Sequence, residues 1–277
     1  MQIAEVAIPV PLHNTFDYLC AERFEIGARV KVPFGRKKVT GVVLAQKDKS
    51  HFEKLKQVEE VLDNEALLSN DILEFLMWSA NYYHYPVGEV INNAIPKNLR
   101  NGHPALIKKP GEKNYKSSSN AFELTTEQIH AINEIVKNLE SFNGFLLHGV
   151  TGSGKTEVYL NITEKVIQAG GQVLVLVPEI GLTPQMISRF EERIDGRVVA
   201  VHSQLNETQR QDAYLMAKNG DANVILGTRS AIFTPMPNLG LVIVDEEHDG
   251  SFKQQSNFRY SARDLSFMRA KFANVPL

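Results

Sequence analysis

The residues best suited to chemistry form a glycine-rich stretch in the middle of the chain. Residues 149–156 read Gly-Val-Thr-Gly-Ser-Gly-Lys-Thr, which fits the phosphate-binding loop pattern Gly-x-x-x-x-Gly-Lys-Thr. Glycines let the backbone approach a polyphosphate closely, and free N–H groups at a helix start attract the anion. The stretch therefore predicts an ATP site. The loop residues expected to hold the nucleotide are Gly149, Thr151, Gly152, Ser153 and Gly154.

The last two residues of this loop have separate expected roles. Lys155 would reach the β- and γ-phosphates, and the Thr156 hydroxyl would hold Mg²⁺. The apolar run 145–147 before the loop predicts a buried strand, and apolar residues at helical spacing over 158–167 predict a helix after it. A glycine-rich turn with a chance lysine is the alternative, but the agreement of strand, loop and helix favours a nucleotide site.

A second candidate group follows the apolar run 241–244. Asp245 would stand at the carboxyl end of a strand, where it can hold the Mg²⁺ that bridges the phosphates. Glu246 is placed to polarise the attacking water. A strand followed by a solvated turn would give the same pattern. Because a phosphate loop lies upstream, we expect Lys155, Asp245 and Glu246 to be the catalytic residues.

Composition limits the classes of protein that fit. The chain has 277 residues, 43% hydrophobic and 22% charged, which predicts two globular domains. The net charge of −2 means that any nucleic-acid site is a local patch. Cys20 is the only cysteine, so an internal disulfide and a cysteine-based zinc site are excluded. No signal peptide or membrane-spanning run is present, so we expect a cytoplasmic protein without a membrane partner.

Two halves with different patterns are expected to position these residues. Residues 2–46 contain short alternating runs joined by tight turns, which predicts a small barrel or open sheet. Ser69 and Pro86 would begin helices, and Trp78 lies in an aromatic cluster that we assign to the core rather than to base stacking. Residues 97–116 form a basic linker, which either follows a phosphate backbone or is a solvated tether.

From residue 124 onward helical and apolar strand patterns alternate, which predicts a parallel sheet covered by helices on both faces. Ligands of such sheets bind at the carboxyl ends of the strands. The predicted strands are 145–147, 172–177, 198–202, 223–226 and 241–244. The predicted helices are 126–139, 155–168, 184–194 and 207–218, with Thr183 and Asn206 as caps.

Several stretches, spread over nearly the whole chain, match motifs of one known family. In order, they are Val10–Tyr18, Val32–Gly35, Gly149–Tyr159, Val177–Gln185, Gly227–Ala231 and Asp245–Asp249, followed by Lys253–Gln255 and Arg259–Tyr260. Together they resemble the replication-restart DNA helicases of superfamily 2 known as primosomal protein N′, or PriA-type, helicases. The resemblance implies an α/β fold: a RecA-like parallel-sheet motor lobe over 121–277, preceded by a small β-rich, barrel-like domain with short helices over 1–100 that binds DNA 3′ ends. Residues 101–120 would link them.

The resemblance also assigns roles in the amino-terminal domain. Phe16 would stack on the terminal nucleotide and Asp17 would accept a hydrogen bond from a free 3′-hydroxyl. Gly35 would allow close approach of the DNA, and Lys56 would contact a phosphate. Ahead of the phosphate loop, Gln128 would read the adenine base.

Further DNA contacts are implied in the motor lobe. Thr228 and Arg229 would hold the single-strand backbone, and an ordinary loop after a strand is an equal alternative for either residue. Phe258 and Arg259 resemble an aromatic-rich loop that couples DNA contact to ATP hydrolysis, with Phe258 free to stack on bases. Phe267, by contrast, is expected in the core.

The chain also departs from the family pattern. The linker is too short for the family's winged-helix domain, and no counterpart of the second motor lobe, its arginines or its zinc ligands is present. We therefore expect a truncated form that binds forked or branched DNA with a 3′ end, single-stranded DNA and ATP but does not unwind. The family also implies primosome proteins and single-strand-binding protein as partners.

Two other functional classes stay open at this point. One is a DNA-binding or interaction module without catalysis, which an ATPase assay would distinguish from an enzyme. The other is a different superfamily 2 translocase, such as an RNA helicase or a restriction motor. The segments Thr15–Tyr18 and Val32–Gly35 argue against that second alternative.

Overall fold

The computed structural model describes residues 2–107, 123–150 and 152–277. These residues form two compact units. The amino-terminal unit comprises Met1–Lys108, Asn206–Leu215 and Gln255–Arg259. The carboxyl-terminal unit comprises Lys109–Leu205, Met216–Gln254 and Tyr260–Leu277. Residues 108–116 of the predicted basic linker lie outside the described residues, whereas its first residues, Lys97–Arg100, form a short helix rather than a tether. No helix in the described ranges is both long enough and apolar enough to cross a bilayer.

The amino-terminal unit contains three helices and a curled sheet that is antiparallel except for the parallel pair of β2 and β5. Its sheet order is β5-β2-β1-β4-β3-β6, so the two shortest strands lie at the edges. The strands are β1 Gln2–Ala7, β2 Phe16–Cys20, β3 Arg29–Phe34, β4 Lys37–Lys47, β5 Lys56–Gln57 and β6 Glu60–Val61. The helices are α1 Asn70–Tyr82, α2 Val87–Ala94 and α3 Lys97–Arg100.

Two hydrogen bonds show how this sheet closes on itself. The segment between β5 and β6 donates from Val58 N to Leu19 O of β2, at 2.8 Å, and from Glu59 N to Lys31 O of β3, at 2.9 Å. One short segment therefore bridges strands from opposite sides of the sheet. Closure of this kind leaves few exposed strand edges. The predicted barrel-like architecture is confirmed.

A buried ion pair fastens this sheet to the helices that follow it. Arg29 on β3 is fully buried, and its guanidinium donates to both carboxylate oxygens of Asp63, at 2.6 and 2.9 Å. The same guanidinium donates to the carbonyl oxygens of Leu99 and His103. A charge can be buried at this depth because each of the three guanidinium nitrogens donates to an oxygen. The alternating pattern around Arg29 did not predict this burial.

The carboxyl-terminal unit contains a four-stranded parallel sheet in the order β10-β7-β9-β8. This sheet and its covering helices confirm the predicted fold class. The strands are β7 Gln172–Leu176, β8 Val198–Val201, β9 Val224–Gly227 and β10 Leu239–Val244. The helices are α4 Thr126–Val136, α5 Lys155–Gln168, α6 Pro184–Arg193 and α8 Ala262–Ala273; α7, Glu207–Lys218, contributes residues to both units.

Helix starts in this part of the chain follow the predicted caps. The Thr183 hydroxyl accepts from Met186 N at 3.2 Å, with Pro184 at the first helical position. At the start of α7, Asn206 and Gln209 exchange hydrogen bonds between side chain and backbone, at 2.9 and 3.0 Å. These caps satisfy backbone N–H groups that the helices leave free.

The predicted strand over 145–147 is wrong. Residues 142–150 belong to no strand, and Leu146 is 80% exposed. Instead, Leu277 exchanges hydrogen bonds with Asn143 O and Phe145 N, at 2.9 and 2.8 Å. Because Pro276 O in turn accepts from Val242 N of β10, at 3.1 Å, the last residues lie between β10 and this segment. The apolar run thus lacks the neighbouring strand that its composition predicts.

Candidate functional site

The phosphate loop leads into α5 through glycines in left-handed backbone conformations. Gly152 has φ of 83° and Gly154 has φ of 79°, a region that side chains other than glycine's disfavour. Gly154 is the N-cap of α5, so Lys155 and Thr156 occupy the first helical positions. The free N–H groups and positive dipole end of α5 therefore face the loop. Thr151 lies outside the described residues.

Lys155 brings the loop and the acidic motif together. Its Nζ donates to Gly149 O at 2.7 Å and lies 3.8 Å from Glu246 Oε1. Glu246 is the second residue after β10 and has a φ of 48°, an uncommon value for a residue with a side chain. Such strained backbones persist where the surrounding structure enforces them, and they cluster at functional sites. The two predicted halves of the nucleotide site thus meet at this pair.

Asp245 is fixed from two sides at the carboxyl end of β10. Its N–H donates to Leu176 O at 2.9 Å, and its Oδ1 accepts from the Tyr159 hydroxyl at 3.1 Å. Burial raises the pKa of Asp245 above the usual carboxyl value. Burial, followed by the nearby charge of Asp245, also raises the pKa of Tyr159, so Tyr159 is a neutral donor. Tyr159 is not among the site residues predicted from the sequence. It follows Lys155 by four positions, however, so the two side chains lie on one face of α5.

A cavity of about 810 Å³ joins these groups, a size typical of small-molecule sites. Its lining includes Gln128, Lys155, Thr156, Asp245 and Glu246. A hydroxyl and a carboxylate bordering one cavity suit Mg²⁺, which takes oxygen ligands and retains several waters. The residues therefore fit an Mg²⁺-bound nucleotide. No cluster of three or more histidine, cysteine or acidic residues occurs in the described ranges to form a separate metal site.

Gln128 contacts the phosphate loop from α4. Its Oε1 accepts from Thr125 N at 2.9 Å, and its Nε2 donates to Ser153 O at 3.2 Å and lies 3.4 Å from Gly154 O. Thr125 and Gln128 form a capping box at the start of α4. Gln128 therefore borders the cavity, with both ends of its amide engaged.

The residues expected at a DNA 3′ end lie on β2 and on elements that contact it. Phe16 and Asp17 are consecutive on β2, and Lys56 on β5 is in register with Tyr18. The ring of Phe16 meets that of Phe34 edge-on, with centroids 5.1 Å apart. Phe34 precedes Gly35, which has φ of 59° in the turn between β3 and β4. These side chains therefore belong to one region of the curled sheet.

Asp17 already has two partners in this structure. Lys47 Nζ donates to its Oδ1 at 3.0 Å, and the Ser50 hydroxyl donates to its Oδ2 at 2.7 Å. The Asp17 side chain is only 7% exposed. Lys47 also contacts Glu5, at 2.9 Å. Neither Lys47 nor Ser50 could be found from sequence, because the bonds join residues from different strands and loops.

The structure shows the surroundings of two other residues that are expected to contact DNA. Thr228 is only 8% exposed, and Arg229 donates to the carbonyl oxygens of Ser251 and Lys253, at 2.9 and 3.1 Å. Arg229 thus holds its own loop, and Thr228 presents little surface to a strand.

The two phenylalanine expectations are reversed. Phe258 is 1% exposed, with its ring 5.8 Å from Tyr83 and 5.3 Å from Tyr85 between centroids, so it is not free to stack on bases. Phe267, expected in the core, is 47% exposed on α8. Tyr83 and Tyr85 lie between α1 and α2, far from Phe258 in sequence, so helical spacing could not predict that they would cover it. Arg259 is exposed.

Two family models match separate parts of the chain. Residues 5–96 match the 3′ DNA-binding domain described for PriA. Residues 121–271 match the model described as the res subunit of type III restriction enzymes. The two matches follow the two patterns that the sequence shows, a β-rich half and an alternating α/β half.

Similar curated proteins are replication restart proteins PriA. That of Haemophilus influenzae is 35% identical in an alignment 351 residues long, which covers 99% of this chain and 48% of the relative. That of Rickettsia prowazekii is 34% identical over 274 residues, covering 98% of this chain and 41% of the relative. The chain thus spans less than half the length of these relatives. A solved structure of RecG bound to a three-way DNA junction covers 49% of this chain and 19% of the RecG chain, with a TM-score of 0.40 and 26% identity.

Proposed function

The chain belongs to the PriA family of replication restart proteins, and on that premise we propose that it binds DNA 3′ ends and Mg²⁺-ATP as part of a replication-restart DNA helicase. In this proposal, residues 1–100 bind the DNA end and residues 121–277 bind the nucleotide. The whole protein would translocate 3′ to 5′ at forked or branched DNA and act with primosome proteins and single-strand-binding protein.

One observation carries the nucleotide part of the proposal. Lys155 Nζ lies 3.8 Å from Glu246 Oε1, and both line the same cavity as Thr156 and Asp245. A triphosphate in that cavity would meet an ammonium group and helix N–H groups on one side. On the other side it would meet the acids at the end of β10. This is the arrangement of charges that phosphoryl transfer requires.

Each residue has a distinct task in this proposal. Lys155 exchanges its bond to Gly149 O for a phosphate oxygen. Thr156 and Asp245 would hold Mg²⁺, which neutralises charge on the phosphates when it is bound. The Tyr159 hydroxyl fixes the orientation of the Asp245 carboxylate. Glu246 orients and polarises the attacking water.

Nucleotide binding tests these assignments without requiring turnover. We expect Lys155→Ala to weaken binding of a fluorescent ATP analogue with Mg²⁺ at least about tenfold, since a charge-assisted contact is worth about 1.5–3 kcal/mol. Lys165→Ala is the matched control, because it removes the same charge from an exposed position on the same helix. Equal effects of the two changes would contradict the site.

Glu246→Gln separates binding from hydrolysis. We expect this variant to bind the analogue as tightly as the parent chain, while any DNA-stimulated hydrolysis falls about 10²–10⁴-fold. Glu247→Gln alters the neighbouring acid, which pairs with Arg263 at 3.2 Å, and should leave both properties unchanged. If Glu247→Gln reduces hydrolysis as strongly as Glu246→Gln does, the assignment of the water-polarising residue is wrong. No hydrolysis by the parent, with normal analogue binding, would favour a binding module.

Binding to matched forks tests the DNA part. We expect a fork whose leading strand ends in a free 3′-hydroxyl to bind more tightly than one that ends in a 3′-deoxy nucleotide. Asp17→Asn should remove most of that difference, because the amide keeps the shape but loses the charge that strengthens the hydrogen bond. Equal binding of the two forks by the parent chain would remove the 3′-end site from the proposal.

A further inference from the structure

The carboxylate proposed to recognise a 3′-hydroxyl is occupied in the free protein. Asp17 is 7% exposed, its Oδ1 accepts from Lys47, and its Oδ2 accepts from Ser50 at 2.7 Å. A carboxylate has about four lone-pair sites, but with the side chain only 7% exposed an incoming hydroxyl has little room to reach those that Lys47 and Ser50 leave open. Recognition of a 3′-end at Asp17, which rests on the proposed function, therefore requires one of these two partners to give way.

Lys47 is the more firmly held of the two. Its ammonium bridges two carboxylates, those of Asp17 at 3.0 Å and Glu5 at 2.9 Å. These contacts, led by the one with Glu5, raise the pKa of Lys47. Lys47 also lies at the end of β4, whose pairing with β1 includes the rung between Ile3 and Lys47. Displacing Lys47 would leave both carboxylates without their counter-ion.

Ser50 is held more weakly. It follows β4 in a segment without regular structure, and residues 51–54 beside it are all exposed. Its hydroxyl donates its single proton to Asp17 and accepts from Phe52 N at 3.2 Å. A serine hydroxyl has one donor, so it makes the same kind of bond to a carboxylate that a nucleotide 3′-hydroxyl makes.

We propose that Ser50 is a specificity-determining residue of the 3′-end site, because its hydroxyl occupies the Asp17 oxygen that a terminal 3′-hydroxyl needs. Only a ligand that donates a hydrogen bond restores what Asp17 loses when Ser50 leaves. A 3′-deoxy end offers no donor, and a 3′-phosphate brings a negative charge toward a carboxylate. Ser50 therefore sets the affinity for free ends while leaving blocked ends unaffected.

Substitution of Ser50 tests the sign of this effect. We expect Ser50→Ala to bind a fork with a free 3′-hydroxyl about tenfold more tightly, the worth of one hydrogen bond that no longer competes. Binding to the matched 3′-deoxy fork should not change. Ser50→Thr keeps the hydroxyl and should behave like the parent chain. If Ser50 instead orients Asp17 for the ligand, Ser50→Ala will bind the free end more weakly, and the proposal is overturned.

Hydrogen exchange gives a second measurement on the unaltered chain. When the Ser50 hydroxyl leaves Asp17, the bond from Phe52 N to that hydroxyl should also loosen. We expect the Phe52 amide to exchange faster on saturation with the 3′-hydroxyl fork but not with the 3′-deoxy fork. Unchanged exchange with both forks overturns the proposal.

Different results would refute the 3′-end site and the role of Ser50. If the parent chain does not distinguish the forks and Asp17→Asn binds both equally, the 3′-end site itself is wrong. If the parent distinguishes them and Ser50→Ala distinguishes them to the same degree, the site stands and only the role of Ser50 is refuted.

Discussion

A methyl group added to Gly154 should disturb the nucleotide site in a way that the same change at Gly152 does not. Both glycines have left-handed backbones, with φ of 79° and 83°. A Cβ at Gly154 would lie 2.4 Å from Gln128 Nε2, whereas a Cβ at Gly152 would have no atom within 4 Å among its surroundings. Gly152→Ala is therefore a control that shares the backbone cost but lacks the collision.

The magnitudes follow from these contacts. A residue with a side chain in the left-handed region costs about 1–2 kcal/mol, and both variants should lose that amount. Gly154→Ala must also move Gln128, which donates to the Ser153 carbonyl and accepts from Thr125 N. The loss of these partly exposed bonds and of the capping box adds about 1–2 kcal/mol. We expect a free energy of unfolding lower by about 2–4 kcal/mol for Gly154→Ala.

Urea unfolding without nucleotide, followed by circular dichroism, measures the difference. Fluorescence would be less suitable, because the single tryptophan, Trp78, lies in the amino-terminal unit. Adding Gln128→Ala removes the atom that collides, so in that background the two alanine variants should become equally stable. The reasoning is refuted if Gly154→Ala and Gly152→Ala are equally destabilising in the parent, or if Gln128→Ala leaves their difference unchanged.

Three further predictions concern buried groups. Asp63→Ala should lower the free energy of unfolding of the amino-terminal unit by about 3–5 kcal/mol in urea titrations, because it leaves the buried Arg29 charge unpaired. Burial raises the pKa of Asp245, so the ionised carboxylate weakens the folded state once the pH has risen through the carboxyl range. The melting temperature of Asp245→Asn should therefore exceed that of the parent chain at pH 7, and the difference between the two melting temperatures should vanish near pH 3. Phe258→Ala should cost about 3–5 kcal/mol and the exposed Phe267→Ala at most about 1 kcal/mol, by the same titrations; equal losses would contradict the burial of Phe258.

The sequence predicted elements and motifs well where the signal is local. Helix α5 spans Lys155–Gln168 as predicted, because the phosphate loop marks its start and apolar residues at helical spacing mark its body. The strand before Asp245 was equally clear, since a continuous apolar run predicts a strand buried on both faces. Both signals depend on residues within one or two turns of each other.

Predictions failed where the outcome depends on distant residues. The run at 145–147 has strand composition, but whether it pairs depends on what occupies the space beside β10. Phe258 lies in a polar stretch that favours exposure, yet Tyr83 and Tyr85 cover it. The same limit hid Ser50, whose partner Asp17 comes from another strand. Spacing along the chain contains no information about such pairs.

The hydrogen bonds between Leu277 and the segment before the phosphate loop have a consequence for the order of folding. They join residues that are far apart in sequence, whereas the contacts within α5 are local. Contacts of high sequence separation form slowly, because the chain between them must first lose its conformational freedom. We therefore expect the approach to the phosphate loop to become ordered after α5 itself, so nucleotide would meet a formed helix end before the segment that leads into it is fixed.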